Sequence, residues 1–506
     1  MMSIAELRRT DKPKSVDWIV PVARDYVARA AADGESEDVV ERQLLAVAIK
    51  LAKALMDEFI DAQGDGDEGP VIERQGRRLR RSERPVERKL RTIFGEHVIE
   101  SYVYAAGAKK AIEYRPLDER MGLPAGRCSY LLEELSQYLC VNQAFEQSSA
   151  CLQRFFGIKI SVNTLENLNQ RMGPQAEEFL AELPTPAADQ EGELLVASAD
   201  GKGVRLLRKE AATVPAFENR ERKGNKRMAT LGCVYSVDRY LRTADDVLAA
   251  LFRDQPETPP PKRPQAKSKH LAAFFANSIQ DGAETIKVSG PMHALSWMAT
   301  EVSRRRQPEQ PLVVLMDGQQ TLWDAAAICL DSASADDTVE ILDLLHVSQY
   351  VWKAASAFHS HREHREAFTR QYLRRILDGK VKAVVASWRQ RATKHQLTGQ
   401  AAEDVRQACN YFSNNAQRMA YDQYLAAGYP IASGVIEGAC RHLVKDRMER
   451  SGMRWRLDSA TAMLNNRAAF ISDYWNDFHQ ARIRDEQIAF RRPPRPHHHT
   501  PFTLAA

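Results

Sequence analysis

Three acidic residues occupy positions at which the sequence pattern changes from one predicted element to the next. Asp200 ends the apolar run ELLVASAD, Asp317 ends PLVVLMD, and Glu437 lies in the first turns of a helix that Ser433 can cap. Cleaving a phosphodiester bond with two divalent cations requires at least three carboxylates held together, because Mg²⁺ prefers oxygen ligands. The three acids therefore predict such a site, provided that the fold brings them together.

Each acid also has a simpler interpretation. Asp-Gly after a strand is common turn chemistry, so Asp200 and Asp317 also fit turns, and Glu437 also suits the dipole of its own helix. The metal site is favoured by the set as a whole: the strand order, the acid positions and the basic helix that follows. In that helix Arg441 and Lys445 are expected to lie to one side of Glu437 at helical spacing.

Three further side chains have two interpretations each. His346 follows the last predicted strand, where it is either a capped core histidine or a contact to a phosphate near the metals. Trp323 and Trp455 either anchor helices or stack on unpaired bases.

The elements that must position the acids lie between residues 190 and 350. ELLVASAD, its hairpin partner GKGVRLL and then RMATLGCVYSVD predict three antiparallel strands. Helices follow around HLAAFFANSI and MHALSWMATEVSRR, then the strand PLVVLMD, the helix TLWDAAAICL and the strand TVEILDLL. This order predicts an α/β (α+β) fold with a ribonuclease-H-like mixed five-stranded sheet as the catalytic core. Large helical insertions and an N-terminal helical DNA-binding region accompany it.

Length and composition exclude several classes of protein. A chain of 506 residues suggests about three domains, and 44% hydrophobic with 27% charged residues excludes a disordered, collagen-like or disulfide-scaffold protein. No apolar run is long enough to span a membrane, and the N-terminus lacks the apolar core of a signal peptide. The seven cysteines include no CxxC pair, which indicates reduced core thiols and no zinc site.

The net charge of +4 says little about partners, but its distribution is uneven. Between Pro70 and Arg91 nine basic residues face three acids, and between Arg441 and Arg456 six face two. Such patches are typical of phosphate contacts, although solvated helix faces have the same composition. Arg77, Arg78, Arg80 and Arg81 are the candidates in the first patch.

A second DNA-binding candidate is the pattern FEQSSACLQRFF, a turn at Gly157 and VNTLENLNQRM after Ser161. A helix, a glycine turn and a polar helix outline a helix-turn-helix motif, in which Asn163, Thr164, Asn167 and Arg171 are placed to read DNA. Any helical hairpin has the same outline.

The resulting division of the chain has seven parts. They are an N-terminal helical region (1–68), a basic segment with a small β-hairpin (69–125), a helix-turn-helix-like DNA-binding region (126–185), the first part of the catalytic core with a Pro-rich insertion near 255–270 (190–350), a helical insertion (351–425), the last part of the core with the Glu-bearing helix (426–480) and a disordered tail (481–506).

Several of these motifs resemble one known family. SADGKGV, VVLMDGQQTLWD, LDLLHVSQYVWKAASAFH and the long run from Tyr411 to Trp455 are similar to the bacterial insertion-sequence transposases of the Kra type, DDE transposases distantly similar to the Mutator group. The resemblance covers about Leu90 to Trp475. It implies that Asp200, Asp317 and Glu437 take the three DDE positions and that Asp343 with His346 matches an Asp-x-x-His signature. Relatives usually have Gly in place of Ala432, and some carry an N-terminal CPxCG motif that is not found in this sequence.

The resemblance implies a DNA transposase that binds the ends of its element and catalyses cleavage and strand transfer with two Mg²⁺ (or Mn²⁺) ions. Asp200, Asp317 and Glu437 would ligate the metals and His346 would position a phosphate, while Arg441 and Lys445 would hold the DNA backbone. We expect double-stranded DNA as the partner, at least a dimer in the synaptic complex, and a cytoplasmic, nucleoid-associated location. The alternatives are a structure-selective nuclease that cuts without joining and an inactive DNA-binding relic.

Overall fold

The computed structural model describes residues 15–107, 110–217, 224–255, 262–281, 284–330 and 338–490. The chain divides into two compact units, one comprising Met1–Asn169 with Asn476–Ala506 and the other Gln170–Trp475. Within the described ranges no helix is long and apolar enough to cross a bilayer.

The first unit begins with two packed helices, α1 (Val16–Asp33) and α2 (Glu37–Asp61). Gly34, with a φ of 66°, ends α1 in the left-handed conformation that glycine adopts without strain. The two helices share one apolar cluster, since residues three or four apart lie on the same helix face. Its fully buried members are Ile19, Tyr26, Ala30, Val47 and Ala54.

Five short strands follow, in two small sheets. They are β1 (Val71–Arg74), β2 (Arg77–Arg81), β3 (Val86–Thr92), β4 (Gly95–Ser101) and β5 (Tyr104–Ala105). The predicted hairpin in TIFGEHVIESYVYAA is the antiparallel pair of β3 and β4, which begins earlier than expected, inside the basic run.

Four helices complete the part of this unit that precedes residue 170, and another lies near the C-terminus. They are α3 (Pro116–Met121), α4 (Tyr130–Asn142), α5 (Phe145–Phe156), α6 (Val162–Ala181) and the C-terminal helix Trp475–Phe490. The C-terminal helix thus extends into the range 481–506 predicted as a disordered tail, of which residues 491–506 lie outside the described ranges. A buried ion pair joins Arg482 on this helix to Glu133 on α4 at 3.0 Å.

A five-stranded mixed sheet forms the centre of the second unit. Its strands are β6 (Leu194–Arg205), β7 (Lys226–Val237), β8 (Lys267–Phe275), β11 (Leu312–Met316) and β12 (Thr338–Leu342), and a hairpin of β9 (Asn277–Asp281) and β10 (Glu284–Val288) follows β8. The spatial order is β8-β7-β6-β11-β12. β7 runs antiparallel to β6 and β8, whereas β11 and β12 run parallel to β6.

Two predictions for this sheet were wrong. GKGVRLL is not the hairpin partner of ELLVASAD but its continuation, because β7 is long enough to pair with all of β6, including Gly201 with Thr230 and Gly203 with Met228. HLAAFFANSI is not helical: it contributes most of β8 and the start of β9. The residues from Leu271 to Phe275 are all apolar, so the sequence lacks the apolar–polar alternation that separates a strand from a helix, although burial alternates along this part of β8.

Helices cover both faces of the sheet. α9 (Gly290–Arg305) and α10 (Gln320–Cys329) build the main core on one face with Leu195, Val314 and Trp323. On the other face α16 (Gly434–Ala439) and the segment that follows it pack against β6 and β7, and α18 (Leu457–Ile471) packs against β8.

The remaining helices of this unit precede or follow these elements in the chain. They are α7 (Arg208–Thr213), α8 (Ala244–Phe252), α11 (Leu344–Phe358), α12 (Arg362–Leu377), α13 (Val381–Lys394), α14 (Gly399–Asn414), α15 (Tyr421–Ala426) and α17 (Asp446–Met448). Of the predicted Pro-rich insertion, residues 256–261 lie outside the described ranges.

Candidate functional site

Asp200 lies within strand β6 and not at its end, which corrects the sequence-based prediction. The strand continues past the acid because it stays paired with β7 as far as Arg205 and Lys226. Asp200 accepts hydrogen bonds from the backbone N–H of Gly201 at 2.6 Å and from the thiol of Cys440 at 3.2 Å. Its carboxylate is therefore held toward the helical segment that contains Cys440.

Asp317 directly follows β11, as the sequence indicates. Its Oδ1 accepts from the backbone N–H of Gln319 at 2.9 Å, and its carbonyl oxygen accepts from the indole N–H of Trp323 at 2.6 Å. Gly318 is required here because a β-carbon would come within 2.1 Å of the Tyr411 ring, whose hydroxyl accepts from the Gly318 N–H at 3.1 Å. The loop that carries Asp317 is thus fixed from two sides.

The strand register places these two acids next to each other. β6 and β11 are parallel neighbours in which Ala197 pairs with Val314, so the same register continued by three residues brings Asp317 level with Asp200. Neighbouring strands lie about 4.8 Å apart, and register partners point to the same face. Burial, together with the negative charges of Asp200 and Asp343, raises the pKa of the Asp317 carboxyl, although the Gln319 hydrogen bond and His346 oppose this.

Glu437, on α16, lies beside Asp343 and His346. One ligand atom from each of these three side chains lies within 4.8 Å of the other two. Burial raises the pKa of the Glu437 carboxyl, and the charges of Asp343 and Asp200 raise it further, while His346 lowers it. Asp200, Asp343 and His346 therefore each interact electrostatically with both Asp317 and Glu437, and these five groups form one cluster.

This arrangement differs in one respect from the predicted triad. The group within 4.8 Å joins Glu437 to the Asp-x-x-His pair, whereas Asp200 and Asp317 do not belong to it. The three predicted acids interact electrostatically, since Asp200 acts on both Asp317 and Glu437. His346 has a side chain that is 31% exposed, with Nε2 3.8 Å from Asp343.

The helix that contains Glu437 is not a regular α-helix throughout. Residues Cys440–Lys445 form a π-helical segment between α16 and α17. Hydrogen bonds in such a segment span five residues instead of four, so the predicted α-helical spacing of Arg441 and Lys445 relative to Glu437 does not hold. Both side chains are exposed, and Arg441 Nε lies 4.0 Å from Asp446.

The basic candidates on β2 fall into two groups. Leu79 is buried, and because side chains alternate along a strand, Arg77 and Arg81 share its face while Arg78 and Arg80 point to the other. Arg77 pairs with Glu113 at 3.5 Å and Arg81 pairs with Asp67. Arg78 and Arg80 are exposed, and within the described ranges neither forms a salt bridge.

The predicted helix-turn-helix region consists of α5, the turn at Gly157 and α6. Gly157 has a φ of 71°, and the Ser161 hydroxyl accepts from the N–H of Thr164 at 3.1 Å, as expected of a helix cap. Asn163 and Asn167 are exposed, whereas Arg171 is half-buried. Contact of these side chains with DNA stays a prediction.

The two tryptophans anchor structure. Trp323 is 1% exposed and Trp455 5%, so neither ring offers a face to an unpaired base. Trp455 donates to the carbonyl of Met448 at 3.2 Å, and the Arg418 guanidinium lies 4.0 Å from the Trp323 ring centre.

Sequence reasoning missed three residues that hold the acids in place: Tyr411, Ser433 in its bond to Asp343, and Cys440. Ser433 was noted only as a helix cap, but its hydroxyl donates to Asp343 at 2.7 Å. Tyr411 and Cys440 lie far from their partners in the chain, and no local pattern marks such a contact.

Comparison with known proteins adds little. No protein-family model matches the chain, and no curated protein matches it. Among solved structures, the Drosophila P element transposase strand transfer complex matches with a TM-score of 0.21 and 9% identity over 69% of this chain and 80% of that chain. A superposition at this score does not establish a shared fold.

Proposed function

We propose that this protein is a DNA transposase of an insertion sequence, with a ribonuclease-H-like catalytic core. The observation that supports the proposal is that Asp200 interacts electrostatically with both Asp317 and Glu437, which belong to the neighbouring parallel strand's end and to a helix. The sheet order, in which three antiparallel strands are followed by two parallel ones at the first strand's free edge, also supports this core. The family resemblance of the motifs around these acids supports the same assignment.

The chemistry of the acids fits divalent cations. Within the described part of the chain, no Lys or Arg forms a salt bridge with Asp200, Asp317 or Glu437. All three carboxylates are half-buried, and partly desolvated carboxylates that lack a cationic partner are costly, so a metal ion would balance their charges. Mg²⁺ or Mn²⁺ suits this all-oxygen donor set.

Asp200, Asp317 and Glu437 are assigned as ligands of two such ions. When bound, the ions activate the attacking oxygen and stabilise the leaving oxygen of a phosphodiester. The side chains themselves orient this site: Cys440 directs Asp200, and Gln319 and Trp323 fix the turn at Asp317. His346, which is partly exposed at the edge of the cluster, positions a phosphate of the DNA.

DNA contacts are assigned to basic and polar side chains in both units. Arg441 and Lys445 follow Glu437 at four and eight residues in the chain and hold phosphates near the cleavage point. Arg77, Arg78, Arg80, Arg81, Asn167 and Arg171 bind the element ends; among the first four, Arg80 and Arg78 contribute most because both are exposed and neither forms a salt bridge within the described ranges. Joining two ends to one target requires at least a dimer.

The test is a cleavage and strand-transfer assay with purified full-length protein. The substrates are labelled DNA that carries the sequences flanking the gene and a plasmid target, with Mg²⁺ or EDTA. We expect joined products that require Mg²⁺ and disappear in Asp200→Asn, Asp317→Asn and Glu437→Gln. Asp324→Asn is the matched control, because Asp324 is exposed on α10 and accepts a hydrogen bond from the Gln320 side chain at 2.7 Å.

The other outcomes separate the alternatives. Nicks that require Mg²⁺ and the three acids, with no joined product, would identify a nuclease. DNA binding without cleavage would identify a relic. Full cleavage by Asp317→Asn would show that the acids have been assigned wrongly.

A further inference from the structure

Asp343 is a completely buried carboxylate at the junction of β12 and α11. Three donors occupy its two oxygens. Oδ1 accepts from the backbone N–H of Leu345 at 3.0 Å and of Ser433 at 3.1 Å, and Oδ2 accepts from the Ser433 hydroxyl at 2.7 Å. The Asp343 side chain is thus held by hydrogen bonds from two segments of the chain.

The backbone at Asp343 contacts the strand that leads to Asp317. The Asp343 N–H donates to the carbonyl of Met316, the residue before Asp317, at 2.9 Å. The next N–H, that of Leu344, donates to the carbonyl of Ile431 at 2.9 Å, two residues before Ser433. The backbone at Asp343 and Leu344 therefore connects the segment that carries Asp317 with the segment that leads to Glu437.

Ser433 continues this chain of contacts to Glu437. Ser433 is buried, and its carbonyl accepts the N–H of Glu437 at 2.9 Å, which is the first hydrogen bond of α16. α16 is the first part of a continuous helical stretch that runs through the π-helical segment to Met448, and Glu437 lies in its first turn. The contacts of Ser433 therefore anchor the end of this stretch at which Glu437 lies.

We propose that Asp343 and Ser433 form a latch that positions Glu437 relative to Asp317, and that Asp343 is a positioning residue and not a metal ligand. The proposal rests on the proposed function, since it assumes that Glu437 and Asp317 share a cation site. The proximity of Asp343 to Glu437 and His346 is then a consequence of the latch. Three of the about four lone-pair positions of this carboxylate are already occupied by hydrogen bonds, which leaves one position on Oδ2.

Two substitutions distinguish a latch from a ligand. Asp343→Asn keeps an acceptor for the two backbone N–H groups, and its amide can donate to the Ser433 hydroxyl, so the latch survives although the anion is lost. Ser433→Ala removes one latch hydrogen bond and leaves every possible metal ligand in place. A ligand role predicts damage from the first substitution, and a latch predicts damage from the second.

The measurement is a Mn²⁺ titration of the full-length protein by calorimetry, together with the Mg²⁺ concentration that gives half-maximal DNA cleavage. Loss of a hydrogen-bonded partner behind a metal ligand typically weakens metal binding about tenfold or more. We expect Ser433→Ala to raise the Mn²⁺ dissociation constant and the half-maximal Mg²⁺ concentration about tenfold. Ser433→Thr keeps the hydroxyl and should leave both quantities at their wild-type values. For Asp343→Asn, both quantities should stay within about threefold of the wild-type values, which is a smaller change than the roughly tenfold expected of a lost metal ligand or its partner.

Ser356→Ala is the matched control, because Ser356 is an exposed serine of α11 that donates only to the Trp352 carbonyl, at 3.0 Å. Circular dichroism and melting in EDTA show whether each variant folds. If Ser433→Ala does not fold, Asp343→Asn still decides the question. A Mn²⁺ affinity lowered tenfold by Asp343→Asn, or unchanged by Ser433→Ala, overturns the latch. A wild-type protein that neither binds Mn²⁺ nor cleaves DNA overturns the proposed function instead.

Discussion

In the absence of metal ions, replacing Asp317 with Asn should increase the free energy of unfolding. The same substitution should remove the stabilisation that the wild-type protein gains from bound metal ions. Burial and the charges of Asp200 and Asp343 raise the pKa of Asp317. A carboxyl whose pKa is higher in the folded than in the unfolded state stabilises the fold at low pH, and this contribution is lost as the pH rises through the folded-state pKa. At neutral pH the ionised Asp317 is therefore a cost that asparagine does not carry.

The direction of the first effect follows from the raised pKa: Asp317→Asn should melt at a higher temperature than the wild-type protein in EDTA. The size of the second effect follows from mass action. A cation at a hundred times its dissociation constant stabilises the wild-type protein by about 2.7 kcal/mol. Asp317→Asn should lose most of that second gain.

The assay is thermal unfolding in EDTA and over a range of Mn²⁺ concentrations, with Asp324→Asn beside Asp317→Asn. The control also removes one negative charge, but Asp324 lies on the exposed side of α10. Asp324→Asn should therefore change neither the melting temperature in EDTA nor its rise with Mn²⁺. A lower melting temperature of Asp317→Asn in EDTA would refute the charge repulsion at the cluster. An equal rise with Mn²⁺ in Asp317→Asn and the wild-type protein would refute the ligand role.

Three further predictions concern the same site. Because the pKa values of Asp317 and Glu437 are raised, protons compete with the cation, and the rate of cleavage at a fixed Mg²⁺ concentration should fall as the pH is lowered. A higher Mg²⁺ concentration should shift the acid limb of the pH–rate profile to lower pH. An acid limb that does not depend on the Mg²⁺ concentration would contradict this prediction. Trp323→Phe removes the indole hydrogen bond to the Asp317 carbonyl and should lower the free energy of unfolding, measured in urea, by about 1–3 kcal/mol. An unchanged urea midpoint would contradict this prediction. Arg441→Ala should weaken binding to all DNA sequences alike and reduce the slope of log affinity against log salt by about 1; a sequence-dependent loss would indicate base contact instead.

Local patterns in the sequence predicted most of the strands and helices. RMATLGCVYSVD, PLVVLMD and TVEILDLL each contain an observed strand, because each is an apolar run bounded by polar or turn residues. The helix predicted for HLAAFF was wrong because every residue from Leu271 to Phe275 is apolar, so the sequence does not show the alternation typical of a strand. The turn predicted at GKGV was wrong. Two closely spaced glycines favour a turn, but here pairing with the long strand β7 keeps the segment extended.

For the site, the sequence by itself determined the residue types and the local elements: an aspartate on one strand, an aspartate after another, a glutamate on a capped helix and an Asp-x-x-His pair. The tertiary structure decided which of these groups are neighbours. The parallel register brings Asp317 level with Asp200, and the buried Asp343 joins Met316 to Ser433. The sequence could not determine these contacts, because each joins segments that are far apart in the chain, and their geometry depends on strand register and helix docking.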